Sequence, residues 1–261
     1  MLNTIIHGDG YPLIWGHGLM GSVAVESATG WFHLAQPHAT RRIRYDARGH
    51  GESAAGHAAA DHRWDRLGQD MLRVADAHAG QPRFALGGQS MGCASALYAA
   101  LAAPDRVSHL ILALPPTAWD SRPAQVERYG KMLELIRARG VGSLVNLARQ
   151  FPSIPEWLRR QRPDDNQPAL NEMARFEASR LERVLEGAML SDLPPLHDLS
   201  ALSVPALILA WEGDSIHPLS TAHRLAETLP DARLEVIASV EQLSHWPTLI
   251  EDFLAQERQP E

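Results

Sequence analysis

The amino-acid sequence predicts an α/β protein with a mostly parallel sheet, helices on both faces of that sheet and an inserted helical cap. First, short apolar runs alternate with helical patterns in the first half of the chain, which is typical of βαβ units. Second, these runs are apolar at successive positions, so the predicted strands are buried on both faces. Third, a long middle segment contains helical patterns without a strand. At 261 residues, the chain can form one core domain with an insertion.

Six strands and the helices between them define the predicted core. The strands are predicted at residues 11–16, 42–46, 83–88, 107–114, 204–211 and 233–238. An amphipathic helix is predicted at 64–79, and a helix that is small and apolar on all sides at 91–103, where Pro104 ends it. The last helix is predicted at 247–256.

The middle of the chain predicts the insertion. Between residues 115 and 196, helical patterns occur at 125–139, 142–150, 155–162 and 168–189, separated by Pro and Gly. We therefore assign residues 1–116 and 197–261 to an α/β core, and residues 117–196 to a helical cap.

Composition excludes several classes of function. The formal net charge is −7 and the arginines are scattered, so neither a nucleic acid nor another polyanion is an expected partner. Cys93 is the only cysteine, which excludes an intramolecular disulfide and a zinc site with two thiolates. No apolar stretch is long enough to cross a bilayer, and the first ten residues show no secretion pattern. We expect a soluble cytoplasmic protein without a membrane partner, and a homo-oligomer is left open.

A strand-turn-helix segment carries the candidate nucleophile. Residues 88–92 have the sequence Gly-Gln-Ser-Met-Gly, which matches G-x-S-x-G between a predicted strand and a predicted helix. A sharp turn at this point holds Ser90 in a strained conformation and presents its hydroxyl at the helix N-terminus. The helix dipole and free N–H groups favour negative charge there. Ser90 is therefore the predicted nucleophile.

Two further motifs precede this turn. Residues 17–21 (His-Gly-Leu-Met-Gly) follow the first predicted strand, and residues 46–53 (Asp-Ala-Arg-Gly-His-Gly-Glu-Ser) follow the second. In order and approximate spacing, the three motifs resemble the alpha/beta-hydrolase family, in its serine-nucleophile branch with a helical cap. The resemblance implies the alpha/beta-hydrolase fold for the whole core.

The resemblance also implies roles for residues of these motifs. The backbone N–H groups of Leu19 and Met91 would form the oxyanion hole, which stabilises the charge that develops on the substrate oxygen. His17 would hold its loop in place, and Asp46 and Arg48 would form structural pairings. None of these last three is expected to take part in the chemistry.

A serine nucleophile requires a base to accept its proton and an acid to orient that base. In alpha/beta hydrolases the chain order is serine, acid, histidine, which leaves His217, His223 and His245. His245 follows the last predicted strand by a short loop, at the carboxyl edge of the sheet where open α/β folds place their sites. His223 lies within a helix that is predicted between the strands at 204–211 and 233–238, with Ser220 as its cap. His217 is too close in sequence to the predicted acid to be oriented by it. His245 is the predicted base.

The predicted acid follows the strand at 204–211. The loop after this strand resembles the post-strand loop of the family, in which an aspartate reaches the histidine and a proline follows four positions later. Asp214 fits this position. Glu212 is the alternative because it is nearer to the strand and longer. Some relatives carry the acid after the preceding strand instead. Asp120 is the nearest candidate for that position in this chain, although it lies far beyond Leu114.

These residues predict hydrolysis through an acyl-enzyme, with no metal or organic cofactor. The sequence resembles the compact capped hydrolases, which include carboxylesterases, 3-oxoadipate enol-lactonases, cofactor-free haloperoxidases and carbon–carbon bond hydrolases. Relatives that use an aspartate nucleophile have other activities, which are disfavoured here because this chain has Ser90 at that position. The expected substrate and partner is a small to medium, largely apolar carboxylic ester or lactone. An enol-lactone or a dienoate-type ketone is the alternative. A catalytically inactive ligand receptor is the alternative outside enzymes, and a complete triad argues against it.

Three residues are the predicted substrate contacts. The resemblance implies that Leu19 lies beside the nucleophile, and Trp246 forms with His245 a pair that resembles the histidine–tryptophan pair of carbon–carbon hydrolases. Trp119 stands near the start of the cap, whose large apolar residues are expected to form the roof of the pocket or to pack its helices. These residues are Trp119, Tyr129, Met132, Leu135, Phe151, Trp157, Met173 and Phe176.

Overall fold

The computed structural model describes residues 1–33, 39–214 and 216–255, and its centre is a single sheet. Within these ranges seven strands pair in the order β1-β3-β2-β4-β5-β6-β7, and β1 is antiparallel to its neighbour whereas the other pairs are parallel. The predicted fold class is confirmed. Positions 34–38, 215 and 256–261 of the predicted core lie outside the described residues. The strands are β1 (Thr4–His7), β2 (Tyr11–Gly16), β3 (Thr40–Tyr45), β4 (Phe84–Gln89), β5 (Val107–Ala113), β6 (Ala206–Trp211) and β7 (Ala232–Ile237).

All six predicted strands are present, each within two residues of its predicted bounds. The prediction missed β1, which pairs only with β3 at the edge of the sheet. Its Ile5 and Ile6 are 39% and 45% exposed, so the strand has no buried face for a hydrophobic pattern to reveal.

Helices cover both faces of the sheet. Within the described ranges, none of them combines the length and the hydropathy needed to cross a membrane. The α-helices are α1 (Val23–Thr29), α2 (Trp64–His78), α3 (Met91–Ala102), α4 (Arg122–Arg139), α5 (Val141–Gln150), α6 (Glu156–Gln161), α7 (Gln167–Arg175), α8 (Ala178–Met189), α9 (Leu196–Leu199), α10 (Leu219–Thr228), α11 (Val240–Ser244) and α12 (Trp246–Ala255).

Successive strand residues pack on opposite faces, as a period of two requires. Ile14 of β2 packs in the apolar cluster that contains α2, α3 and α10. Its neighbours Leu13 and Trp15 pack in the cluster that contains α11 and α12. The central strands are therefore buried on both faces, which is why their sequences are apolar at successive positions.

Helices α4 to α8 lie between β5 and β6, and α4, α5, α7 and α8 pack around an apolar cluster of their own, whereas Leu158 of α6 packs in the cluster that contains α11 and α12. The single helix predicted at 168–189 is two helices, because Phe176 and Glu177 adopt extended backbone angles between α7 and α8. This break turns the Phe176 ring onto the edge of His50, with ring centroids 5.8 Å apart. The insertion is thereby packed onto the loop that follows β3.

Arg180 of α8 binds the insertion to the loop that follows β3. Its guanidinium donates hydrogen bonds to the carbonyl oxygens of Gly49, Gly51 and Ser53, at 2.8, 3.1 and 2.6 Å. A planar guanidinium can satisfy three carbonyls at once because its N–H groups are fixed in a fork. The insertion is therefore held to the core by backbone recognition as well as by apolar packing.

Candidate active site

Ser90 lies at the sharp turn between β4 and α3, as the motif predicts. Its backbone adopts φ 53° and ψ −108°, a strained conformation for a residue with a side chain. The glycines on either side permit this turn, because a Cβ on Gly88 or Gly92 would overlap the carbonyl oxygen of Gly16 at the end of β2. The strand, the helix and β2 therefore meet closely enough to project the Ser90 hydroxyl from the carboxyl edge of the sheet.

Met91 and Cys93 follow the serine in α3. Met91 is the first residue of the helix, so its N–H belongs to the groups that have no acceptor within the helix. Cys93 is buried, and its sulfur contacts the carbonyl oxygens of Gly88 and Ala113 at 3.1 and 3.0 Å. Burial raises the pKa of the Cys93 thiol, which makes it a packing residue rather than a nucleophile.

His217 connects the serine with an acid. Its Nε2 atom lies 2.9 Å from Ser90 Oγ, and its Nδ1 atom lies 2.7 Å from Asp214 Oδ2. These distances are those of hydrogen bonds, and they give the order serine, histidine, carboxylate that nucleophilic catalysis requires. The structure thus brings Ser90 and Asp214 together through His217.

The loop after β6 makes this arrangement possible. Gly213 has φ 82°, a conformation that glycine adopts readily, and it turns the chain just before Asp214. Oδ1 of Asp214 then accepts hydrogen bonds from the backbone N–H groups of Ile216 and His217, at 2.7 and 3.1 Å. Such a local turn, in which a side chain binds the backbone two or three residues later, is common for aspartate.

Trp211, the last residue of β6, also binds the acid. Its indole N–H donates to Asp214 Oδ2 at 2.8 Å. Burial disfavours the ionised carboxylate, but hydrogen bonds from His217, Trp211 and the N–H of Ile216 outweigh burial and lower the pKa of Asp214 to about 2. Asp214 is therefore ionised at neutral pH.

The expectation that His245 reaches Ser90 is wrong in this structure. A short helix, α11, follows β7, and His245 comes directly after it with an exposed side chain. The next residue, Trp246, turns into the apolar cluster on the far face of the sheet, where it stacks on Phe32 and Trp211 at 5.7 and 6.0 Å. Because Trp246 is buried there, the neighbouring histidine points to solvent.

The alternative acids are also exposed. Glu212 contacts the insertion through its backbone, since its carbonyl oxygen accepts a hydrogen bond from the Trp157 indole at 3.1 Å. Asp120 is likewise exposed. Asp214 is the carboxylate in contact with His217.

The residues around the nucleophile have the structural contacts that the motifs implied. His17 Nε2 accepts a hydrogen bond from the N–H of Ala47 at 2.9 Å, so it joins the two loops. Asp46 accepts from the N–H of Val23 at 2.8 Å, and Arg48 pairs with Asp70 of α2 at 2.7 Å. These contacts hold the loops that face Ser90.

A cavity of about 500 Å³ lies against Ser90 and His217. The core contributes Leu19 and Trp211 to its wall. The helical insertion contributes mainly apolar residues, which include Tyr129, Met132, Phe151 and Met173 from the set predicted to form the roof. The volume is within the range of small-molecule sites.

Two of the predicted substrate contacts lie elsewhere. Trp246 is 1% exposed and belongs to the apolar cluster on the opposite face of the sheet. Trp119 is held by hydrogen bonds, from its N–H to the Asp192 carboxylate and from its indole to the Pro194 carbonyl, at 3.1 Å each. The described lining of the cavity includes neither residue.

The charged groups of the cavity wall are carboxylates. Among the described lining residues, Glu26 and Asp165 carry charge and none is Lys or Arg. Glu26 accepts from the Trp15 indole at 2.7 Å and lies 3.6 Å from Arg42. Asp165 accepts from the Trp31 indole at 2.6 Å. A ligand in this cavity thus meets indoles, amides, apolar carbons and carboxylates that already have partners.

Comparison with known proteins supports the observed fold. The family model for the alpha/beta hydrolase fold matches residues 11–247, which is most of the chain. This chain belongs to the alpha/beta hydrolase family. In this alpha/beta hydrolase, the matched region contains the nucleophile turn, the loop that carries Asp214 and His217, and the helical insertion.

Curated relatives of this alpha/beta hydrolase carry two different names. A putative carbamate hydrolase RutD from Variovorax paradoxus is 29% identical, over 99% of this chain and 98% of the relative. The 3-oxoadipate enol-lactonase 2 of Acinetobacter baylyi is 26% identical, over 77% of this chain and 73% of the relative. The two names are those of a carbamate hydrolase and of a lactonase.

Solved structures share the fold of this alpha/beta hydrolase. A thermophilic esterase from Thermogutta terrifontis, with malate bound, superposes with a TM-score of 0.83 at 24% identity, covering 98% of this chain and 93% of that one. The enol-lactonase from Burkholderia xenovorans superposes with a TM-score of 0.79 at 21% identity, covering 98% and 96%. These similarities establish the architecture.

Proposed function

We propose that this alpha/beta hydrolase cleaves neutral, largely apolar carboxylic esters or lactones through an acyl-enzyme on Ser90. The observation that carries the proposal is the pair of hydrogen bonds of His217, at 2.9 Å to Ser90 Oγ and at 2.7 Å to Asp214 Oδ2. Family membership and the names of the relatives support hydrolysis. The bond and the substrate are inferred from the site.

In the first step, Ser90 Oγ attacks the carbonyl carbon while His217 Nε2 takes the hydroxyl proton. The ionised Asp214 accepts a hydrogen bond from the Nδ1–H group of His217 and stabilises the imidazolium that forms. The C–O bond to the alcohol then breaks, and His217 returns the proton to the leaving oxygen. A water molecule, activated by the same histidine, releases the acid and regenerates Ser90.

The backbone N–H groups of Leu19 and Met91 are the proposed oxyanion donors. Leu19 lines the cavity beside Ser90, and a Cβ on Gly18 would lie only 3.7 Å from the Ser90 Cβ. Met91 begins the helix directly after the nucleophile. Donors on both sides of the serine can bind the negative oxygen of the tetrahedral state, where each contributes about 3 to 4 kcal/mol.

The charge of the wall supports a neutral substrate. A substrate carboxylate near Glu26 or Asp165 would be desolvated and would meet no described cation of the wall. The 3-oxoadipate lactones retain one carboxylate, because adipate is a dicarboxylic acid and lactone formation consumes one acid group. A neutral ester or lactone therefore fits better than an enol-lactone, a dienoate or a carbamate anion.

Residues 117–196 are the proposed cap, since they provide most of the apolar wall above Ser90. The proposed chemistry needs a small molecule and water, and no metal or organic cofactor. A cap that excludes water strengthens the electrostatic interactions of the site.

Labelling with a fluorophosphonate probe, together with hydrolysis of a panel of p-nitrophenyl esters, lactones and dienoate ketones, tests the proposal. The wild type should react with the probe and hydrolyse neutral esters. Ser90→Ala should lose both, with turnover reduced on the order of 10⁴-fold. Cys93→Ser is the control, because that thiol is buried in α3, and it should retain both. An unlabelled, folded wild type would instead indicate a ligand receptor.

A further inference from the structure

The cavity opens to solvent at the end of α5. Among its described lining residues, only Leu147, Phe151 and Ser153 are exposed, and the remainder are buried or half-buried. Two of these three residues are large and apolar, with Leu147 43% exposed and Phe151 69% exposed. The opening of the cavity is therefore bordered by apolar groups.

These groups continue an apolar stripe along one face of α5. Leu144, Leu147 and Ala148 recur at intervals of three and four residues, so they lie on one side of the helix. Phe151 comes directly after α5, three residues beyond Ala148, and all four line the cavity. Its large residues are more exposed toward the end, with 3% at Leu144, 43% at Leu147 and 69% at Phe151, while Ala148 is half-buried. At 1.5 Å per residue the stripe is about 10 Å long, which is comparable to a medium-length alkyl chain.

The exposed end of the stripe is unusual for this protein. Large hydrophobic residues are rarely exposed in its described part, and two of them occupy this one opening. Single exposed apolar residues are normal on a protein surface, whereas neighbouring ones that continue a cavity indicate a ligand. Leu190 is a comparable exposed residue that lies outside the described cavity lining, at 59% exposure.

We propose that the α5 stripe, Leu144, Leu147, Ala148 and Phe151, binds an aliphatic chain of the substrate and directs it from Ser90 to the opening. This inference rests on the proposed function and specifies it: the substrate is an ester or lactone with a medium-length alkyl chain. Phe151 and Leu147 set the preference for chain length, because only a chain that extends to the opening can bury them.

Hydrolysis of p-nitrophenyl esters from acetate to decanoate tests the stripe. In the wild type, kcat/KM should rise with acyl length. In Phe151→Ser and Leu147→Ser, kcat/KM should fall relative to the wild type. The decrease should grow with acyl length, to roughly fivefold on the longest chains, because less apolar area is buried. Leu190→Ser, an equal change outside the cavity, should follow the wild type at every length. Identical profiles for Phe151→Ser, Leu147→Ser and Leu190→Ser would show that the acyl chain does not follow the stripe, and the alcohol side of the ester is then decisive.

A second series, in which the alcohol chain of butyrate esters is lengthened, shows which side of the ester follows the stripe. If the effect of chain length on kcat/KM depends on Leu147 and Phe151 in either series, the inference is supported. If it depends on neither residue in both series, the inference is refuted. Because this readout needs activity, binding is measured separately in Ser90→Ala. Neutral 2-alkanones of rising length should raise its Tm increasingly, and Phe151→Ser should reduce that increase.

The binding measurement separates the two proposals. Suppose that the wild type hydrolyses no ester, but that its Tm rises with alkanone length and depends on Phe151. This result would refute the proposed function and support the binding of an aliphatic chain by the stripe. An active esterase without any chain-length dependence would keep the proposed function and remove the stripe.

Discussion

The Asp214 carboxylate binds His217 at two points, since Oδ2 lies 2.7 Å from Nδ1 and Oδ1 lies 3.1 Å from the backbone nitrogen. A third hydrogen bond, from the N–H of Ile216, closes the same turn. The acid therefore fixes both the backbone and the ring of its histidine. Three residues of separation are sufficient, because the loop folds around the carboxylate.

This relationship predicts which histidine is the base. His217→Gln should lower kcat/KM for a neutral p-nitrophenyl ester on the order of 10⁴-fold, because Ser90 loses the group that takes its proton. His245→Gln should change kcat/KM by less than about twofold, since its side chain is exposed. Circular dichroism of both variants checks that they are folded. The reverse result would restore His245 as the base.

The acid is tested by a matched pair of amides. Asp214→Asn should reduce kcat about 10³- to 10⁴-fold, because an amide no longer stabilises the imidazolium or holds the required tautomer. Glu212→Gln should have a small effect, since the exposed Glu212 touches the insertion through its backbone. If Glu212→Gln instead gave the larger loss, the acid would have to be reassigned.

The nucleophile turn was predictable because its cause is local. A strand, the sequence Gly-x-Ser-x-Gly and a small apolar helix follow each other directly, and only glycine fits where Gly88 and Gly92 meet Gly16. The buried strands were predictable for a similar reason, since their apolar runs have no exposed face. These features depend on short segments of the chain.

The proposed base was not predictable in this way. His217 reaches Ser90 only because the loop turns at Gly213 and wraps around Asp214, a backbone path that spacing alone does not define. The burial of Trp246, which turns His245 outward, depends on packing with residues distant in sequence. The available signal was a histidine three residues after an aspartate, in a loop at the carboxyl end of a buried strand.

Trp211 is expected to affect, through Asp214, how strongly the imidazolium form of the base is stabilised. Its indole N–H donates to the same Asp214 oxygen that binds His217. Trp211→Phe removes this donor, so the pKa of Asp214 should rise and its carboxylate should stabilise the imidazolium more strongly. The acidic limb of the kcat/KM profile should then move to higher pH.

A matched control separates this effect from packing. Trp246→Phe removes an indole that stacks on Trp211 but leaves Asp214 untouched. Both variants should unfold at lower Tm, and only Trp211→Phe should displace the acidic limb. Equal pH profiles in the two variants would limit Trp211 to a packing role.

The charge of the cavity wall predicts discrimination between substrates of equal length. The neutral p-nitrophenyl pentanoate and the anionic p-nitrophenyl glutarate differ mainly in one terminal carboxylate. The neutral ester should have the higher kcat/KM, by roughly tenfold or more, because the anion loses hydration without gaining a cation. A preference for the anion would contradict the neutral substrate and favour enol-lactone or dienoate chemistry.

Stability should fall in mild acid because of a buried histidine where the insertion meets the core. His50 is 1% exposed, and its Nδ1 atom lies 3.1 Å from the Arg48 carbonyl oxygen. Burial lowers the pKa of His50 well below its usual range, and the neighbouring His17, His62 and Arg180 lower it further. The folded protein therefore keeps this ring neutral.

The sign of the pH dependence follows from linkage. Above pH about 6.5, the ordinary pKa of histidine, His50 is neutral in both folded and unfolded states and its contribution to stability is fully present. As the pH falls below that value, the unfolded chain binds a proton that the folded protein excludes, so stability is lost. In urea unfolding between pH 7.5 and 5, His50→Gln should flatten this loss by up to about 1.4 kcal/mol per pH unit. His197→Gln, at a histidine whose side chain is 81% exposed, should leave the slope unchanged; an unchanged slope in His50→Gln as well would show that His50 titrates normally in the folded protein.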